Sequence, residues 1–355
     1  MCLDHGDLVA VAPRPDPDVD LPDPVALEPI DDLEITILVD NVADQLLADT
    51  DTVKRVGLHD PRLPHAPTDL LDPPHVVDGL QAEHGFAALV TLQRGATTCR
   101  VLYDAGLTPG GLVGNMRRLG LDPGDVDVIV LSHGHYDHAG GLAGFVQAVG
   151  PRNLPLVVHP FAFSRRRITV PGSDPVELPV PSGAALRDAG IEVVDREQPS
   201  LLLAGALLVT GEVDRTTDFE TGLPRHEAWR DGTWQPDPAI PDDQALVAHV
   251  RGRGLVVLTG CGHAGIVNTT RYARRLTGVT DVHAVAGGFH LSGPAFEPII
   301  DPTVDALADL APDTVLPAHC TGWRARHRLA ARLPEAYTPP SVGTTLALSG
   351  RTEAP

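Results

Sequence analysis

Residues 131–142 read LSHGHYDHAGGL and bring His133, His135, Asp137 and His138 within six positions. Neutral imidazole and carboxylate are the donors that suit zinc, iron and manganese. His133 and His135, two apart in a turn behind an apolar run, can point at one ion. Asp137 and His138 face a neighbouring position and can hold a second. Two ions about 3.5–4 Å apart clamp a bridging hydroxide. The adjacent glycines leave space for a substrate. A merely solvated polar turn would not explain why further histidines stand at the ends of other apolar runs.

Those runs must position the cluster. Strand-length apolar segments cover 35–41, 86–93, 99–106, 126–135, 154–160, 205–212, 245–250, 254–263, 282–290 and 314–320. Helical patterns lie between several of them, at 112–120, 141–150, 265–278 and 302–311. Strands alternating with helices predict an α/β layered fold. Several runs end on a ligand-type residue near glycine or proline: Asp104, His133, Cys261, His290 and His319. Strand ends are where α/β proteins build sites.

The domain is expected over 33–345. Residues 1–32, rich in Pro and Asp, read as a disordered acidic arm, and 346–355 as a tail. Residues 59–75 read as a long loop. The Pro-rich, polar stretch 160–243 reads as a lid-like insertion over the site.

At 355 residues, 43% apolar and 21% charged, the chain can bury a large core. Its net charge of -20 repels phosphate backbones and anionic membranes. The expected partner is therefore a small-molecule substrate, with no nucleic acid and no membrane; self-association into a homo-oligomer stays open. No apolar stretch approaches the roughly 20 residues of a membrane span. The N-terminus lacks the pattern of a signal peptide, and four cysteines without a CxxC spacing suit a reducing cytoplasm.

SHGHYDHAGG resembles the signature of the metallo-β-lactamase-fold hydrolases, which implies an αββα sandwich. Asp104 in VLYDAG matches the family's strand-end aspartate, which implies that it orients the metal loop. His319 in LPAHC stands where the family's last ligand histidine falls. LVDN (38–41), EHGF (83–86), GEVDRTTDFE (211–220), DDQAL (242–246), TGCGHAGIVNT (259–269), GGFHL (287–291) and PAHCTG (317–322) together resemble one branch. That branch is named 7,8-dihydropterin-6-yl-methyl-4-(β-D-ribofuranosyl)aminobenzene-5′-phosphate synthase-like, and the likeness runs from about residue 34 to 345.

The chain departs from the wider superfamily in two places. No GHTxG-like turn is present, and the bridging aspartate of the usual GD pair is replaced by Cys261, followed by His263. His263 is the expected ligand. Cys261 is either a soft ligand or bridge, or a small buried hydrophobe. His290 is either a ligand or a substrate contact. His159, His249 and His283 read as packing residues.

The expected activity is that of a metal-dependent hydrolase. A dinuclear centre, zinc first with iron or manganese as alternatives, would activate water against an ester, lactone or phosphoester. The expected ligands are His133, His135, Asp137, His138, His263 and His319. Asp137 is also expected to accept or orient the nucleophile's proton. Arg215 and the run Arg165–Arg167 are candidates for an anionic substrate group, against the alternative of a solvated charge run. A di-iron redox or oxygenase-type enzyme and a non-catalytic metal-binding sensor are the competing classes.

Overall fold

The computed structural model describes residues 9–10, 24–58, 60–169 and 172–351. Its strands follow the two-residue period of their apolar side chains. In Asp32–Val39, Leu33, Ile35 and Ile37 enter the central core. Leu38 faces out by the same alternation, and a register shift between Ile37 and Val39 turns Val39 out as well. In Ala87–Arg94, Ala88, Val90 and Leu92 face inward while Ala87 and Leu89 face out. In Gly254–Thr259, Val256 and Leu258 face inward while Leu255 and Val257 face out.

Eight strands form one sheet in the order 191–195, 154–158, 128–130, 97–103, 87–94, 32–39, 345–349, 53–54. Seven form a second, in the order 9–10, 200–202, 207–209, 246–250, 254–259, 282–288, 314–318. The inner faces share one core, in which Val90, Val101 and Val128 of the first sheet join Leu246, Val256 and Ala286 of the second. Helices Gly111–Arg118 and Leu142–Val149 cover the first sheet through Leu112, Met116 and Phe145. Helices Ile266–Thr277, Ile300–Leu310 and Trp323–Arg332 cover the second. The architecture is an αββα sandwich.

Topology places the site. Strand 97–103 runs parallel to 128–130, so Asp104 and the loop beginning at Leu131 leave the first sheet at the same edge. Strands 254–259, 282–288 and 314–318 are mutually parallel, so Cys261, His290 and His319 leave the second sheet together.

The boundaries differ from those expected. Within the arm assigned to 1–32, Val25 and Leu27 pack into the outer core of the second sheet, and Ile30 is fully buried and bridges to Val250. Val9–Ala10 pairs with the strand at 200–201; residues 1–8 and 11–23 of that arm lie outside the described residues. The tail begins inside a core strand, Thr345–Ser349, whose Leu346 and Leu348 are buried. The loop at 59–75 contributes two short strands, His65–Pro67 and His75–Val77. The insertion at 160–243 is narrower than expected, because Ile191–Asp195, Ser200–Leu202 and Leu207–Val209 belong to the two main sheets. What remains is a four-stranded sheet in the order 176–178, 166–168, 226–230, 233–236. Cys99 is disulfide-bonded, whereas Cys261 and Cys320 are free. No helix among the described residues is long and apolar enough to cross a membrane.

Candidate metal centre

The loop 131–141 is held from behind by Asp104. This residue sits in the left-handed region (φ 59°) with its carboxylate fully buried. One oxygen accepts from the Ser132 amide at 2.7 Å. The other accepts from Ser132 Oγ at 2.7 Å and lies 2.7 Å from His138 Nδ1. Ser132 Oγ in turn lies 2.8 Å from His133 Nδ1. Because the hydroxyl already donates to Asp104, it can only accept from His133, which puts the proton on Nδ1 and leaves Nε2 as a bare lone pair. The loop also fits only with glycine at two points. A Cβ on Gly134 would collide with the Ala162 carbonyl, and one on Gly260 with Ser132 Oγ.

Two donor groups face the rim. In the first, His133 Nε2 lies 2.9 Å from His135 Nδ1, and His263 Nε2 lies 3.2 Å from that same nitrogen. In the second, His319 Nε2 lies 3.4 Å from Asp137 Oδ2, and the more exposed His84 lies 3.6 Å from it. His138 Nε2 points to Cys261 Sγ at 3.1 Å. Cys261 belongs to both groups: its sulfur and the ring nitrogens of His133 and His263 lie within 4.8 Å of one another, and so do its sulfur and those of His138 and His319. It also lies within that distance of His290 and Cys320. His319, in the left-handed region like His290, is fixed by Asp40, which accepts from its amide at 2.6 Å, and by Asn41 Oδ1, 3.0 Å from its Nδ1.

Burial pulls His133, His135 and His263 well below the usual histidine range, so these rings are neutral. Burial opposes the charge on His138 as well, but the carboxylates of Asp104 and Asp137 outweigh it and raise that ring to about 9. Burial would raise Asp137, yet His138 and His319 hold its carboxyl well below the usual range. Three neutral imidazole nitrogens converging at 2.9–3.2 Å cannot all be satisfied by one another's protons. The buried Nε2 of His319 makes no well-formed hydrogen bond; only the Asp137 carboxylate stands near it, at 3.4 Å. A cation answers both deficits, and the donor set of imidazole, carboxylate and thiolate suits a transition metal.

The centre therefore gathers His133, His135, Asp137, His138, His263, His319, Cys261, His290 and Asp104. Arg215, the candidate for an anionic substrate group, is engaged with backbone carbonyls beside the centre. Its guanidinium donates to the carbonyls of Glu220 (3.2 Å), His263 (3.0 Å) and Ala239, tying the loop at 215–220 to the base of the site. Arg165 and Arg167 pair with Glu177 and Glu227 on the small sheet. Buried Arg166 pairs with Asp242, whose other oxygen accepts from the Gly134 amide at 2.8 Å. His159 receives the Phe161 amide, and His283 lies 2.6 Å from Asp313.

Sequence reasoning missed His84, Asn41, Asp242 and His226. The first three lie in the short motifs EHGF, LVDN and DDQAL, to which no chemistry was attached. His226, in a polar stretch, gave no signal. A small pocket opens beside the centre, lined by His263, His290, Phe289, Phe296 and Glu220.

Residues 84–276 match the family model of the metallo-beta-lactamase superfamily. The chain is 29% identical over 267 residues to a 7,8-dihydropterin-6-methyl-4-(beta-D-ribofuranosyl)-aminobenzene-5′-phosphate synthase of Methanocaldococcus jannaschii, covering 72% of this chain and 87% of that one. It is 31% identical over 257 residues to an uncharacterized protein of the same organism, covering 70% of this chain and 88% of that one. Among solved structures it resembles a metal-dependent hydrolase of the β-lactamase superfamily, with a TM-score of 0.63 and 23% identity over 89% of this chain and 99% of that one. With its sandwich, its HxHxDH loop and its ring of strand-end donors, this chain belongs to the metallo-β-lactamase superfamily.

Proposed function

We propose that the protein is a metal-dependent hydrolase of a small, anionic substrate with an ester, lactone or phosphoester bond. The observation that carries the reading is the pair of donor groups on either side of Cys261. His133, His135 and His263 would hold one ion, and Asp137, His138 and His319 a second, with Cys261 between them. A metal pair supplies a water of lowered pKa and a Lewis acid for the substrate oxygen.

The chain's own groups prepare that chemistry. Asp104 and Ser132 fix the rings of His133 and His138, and Asn41 with Asp40 fixes His319. Asp137, held ionised by its histidine neighbours, would serve as a ligand and orient the nucleophile's proton. His290, on the wall of the adjoining pocket with Nδ1 unpaired, is placed to meet the substrate.

One relative is named as the synthase of a phosphate-bearing compound, and this favours a phosphorylated substrate. A second reading, a di-iron redox enzyme, is favoured by the soft sulfur of Cys261 in the donor set. Metal analysis of protein purified without added metal, followed by a screen of lactones, phosphodiesters and thioesters, tests both. Two zinc ions with hydrolysis support the first reading. Two iron ions and no hydrolysis on any of these substrates would replace it with the second.

A further inference from the structure

We infer that His226, carried by the small four-stranded sheet, is a positioning residue that fixes the tautomer of His135. The inference rests on the metal-centre reading above and concerns a residue outside the two donor groups. His226 is 1% exposed, on the strand His226–Arg230, opposite Ile168 of the strand Arg166–Ile168. Its Nε2 lies 3.3 Å from Nε2 of His135. Its Nδ1 lies 3.0 Å from the carbonyl oxygen of Asp237 and 3.4 Å from that residue's carboxylate.

The proton positions follow from these contacts. Nδ1 of His226 faces acceptors only, so it carries a proton and donates to Asp237. In the neutral ring Nε2 is then an acceptor. It receives the Nε2 proton of His135, which leaves Nδ1 of His135 as a lone pair. That Nδ1 is the atom facing His133 Nε2 at 2.9 Å and His263 Nε2 at 3.2 Å. The opposite tautomer of His135 would aim a proton into the centre and block ligation. A histidine ligand needs its other nitrogen engaged for this reason, and removing such a partner costs roughly 10–100-fold in metal affinity.

The same small sheet supports the loop a second time, through Arg166 and Asp242 to the Gly134 amide. Its two anchors therefore meet the loop at the Gly134 amide and the His135 ring. The sheet acts on the centre as a rigid backing for that loop.

Zinc affinity measured by chelator competition on wild type, His226→Leu and His226→Gln tests the inference. Leucine removes the acceptor. Glutamine restores one through Oε1, which can take the His135 proton. We expect His226→Leu to bind zinc about 10–100-fold more weakly and His226→Gln to stay within about threefold of wild type. Zinc-loaded wild type should also show His135 protonated at Nε2 in long-range proton–nitrogen spectra. Equal affinity in wild type and His226→Leu overturns the inference. So does equal weakening in both variants, because a purely structural role would not be rescued by an acceptor. If wild type itself binds no zinc, the metal-centre reading fails and the inference falls with it, a result distinct from either of the others.

Discussion

Sγ of Cys261, from the seven-stranded sheet, lies 3.1 Å from Nε2 of His138, from the loop of the eight-stranded sheet. This contact joins the two halves of the sandwich at the centre of the site. It also puts a thiol where the superfamily's usual pattern has a carboxylate. Burial pushes the Cys261 thiol up, so a cation must displace its proton to be bound by sulfur.

Cobalt substitution reads that sulfur directly. Cobalt-loaded wild type should show a near-ultraviolet thiolate-to-metal charge-transfer band, absent in Cys261→Ser. A band that survives the substitution, or no band in wild type, removes Cys261 from the ligand set.

Asp104 has the densest set of contacts behind the centre. Asp104→Asn puts an amide donor against either the Ser132 amide or its hydroxyl. Zinc affinity should fall about 10–100-fold while the fold persists. Chelator competition with circular dichroism checks both halves of the statement, and unchanged affinity would deny Asp104 its orienting role.

The Arg166–Asp242 pair is fully buried. Arg166→Met leaves an unpaired carboxylate in the interior and should cost about 3–5 kcal/mol of unfolding free energy. Denaturant titration measures it. A loss under about 1 kcal/mol would place the pair among exposed, weak ones.

Glu220 gives a pH signature. Burial raises its carboxyl to about 7, although the amides of Val267 and Asn268, at the start of helix Ile266–Thr277, act the other way. A raised folded-state pKa contributes stability that is complete below the unfolded value near 4.5 and is lost as pH rises through about 7. The stability advantage of wild type over Glu220→Gln should therefore shrink between pH 5 and 8. An advantage that grows over that interval would mean the helix amides win and the carboxylate is stabilised.

The sandwich and half of the site were legible in the sequence because both rest on local pattern. The strand ending at Val130 is apolar on both faces, and three histidines follow it within a few residues. His263, His290 and His319 were legible through their places at strand ends. The backing residues were not. His226 reaches His135 across 91 positions, and nothing in PRHEAW marks it. Arg215 stayed ambiguous because an arginine on a polar stretch has the same local look whether it grips a substrate or holds carbonyls, three of which it contacts here. The strand at 345–349 was lost as tail because its pairing partners lie at 32–36 and 53–54.

Metal content decides whether the centre holds two ions. Protein stripped with chelator, reloaded with zinc and desalted should hold two zinc ions per chain by mass spectrometry, and His263→Ala and His319→Ala should each hold fewer. A wild-type stoichiometry of one or none would contradict a dinuclear centre.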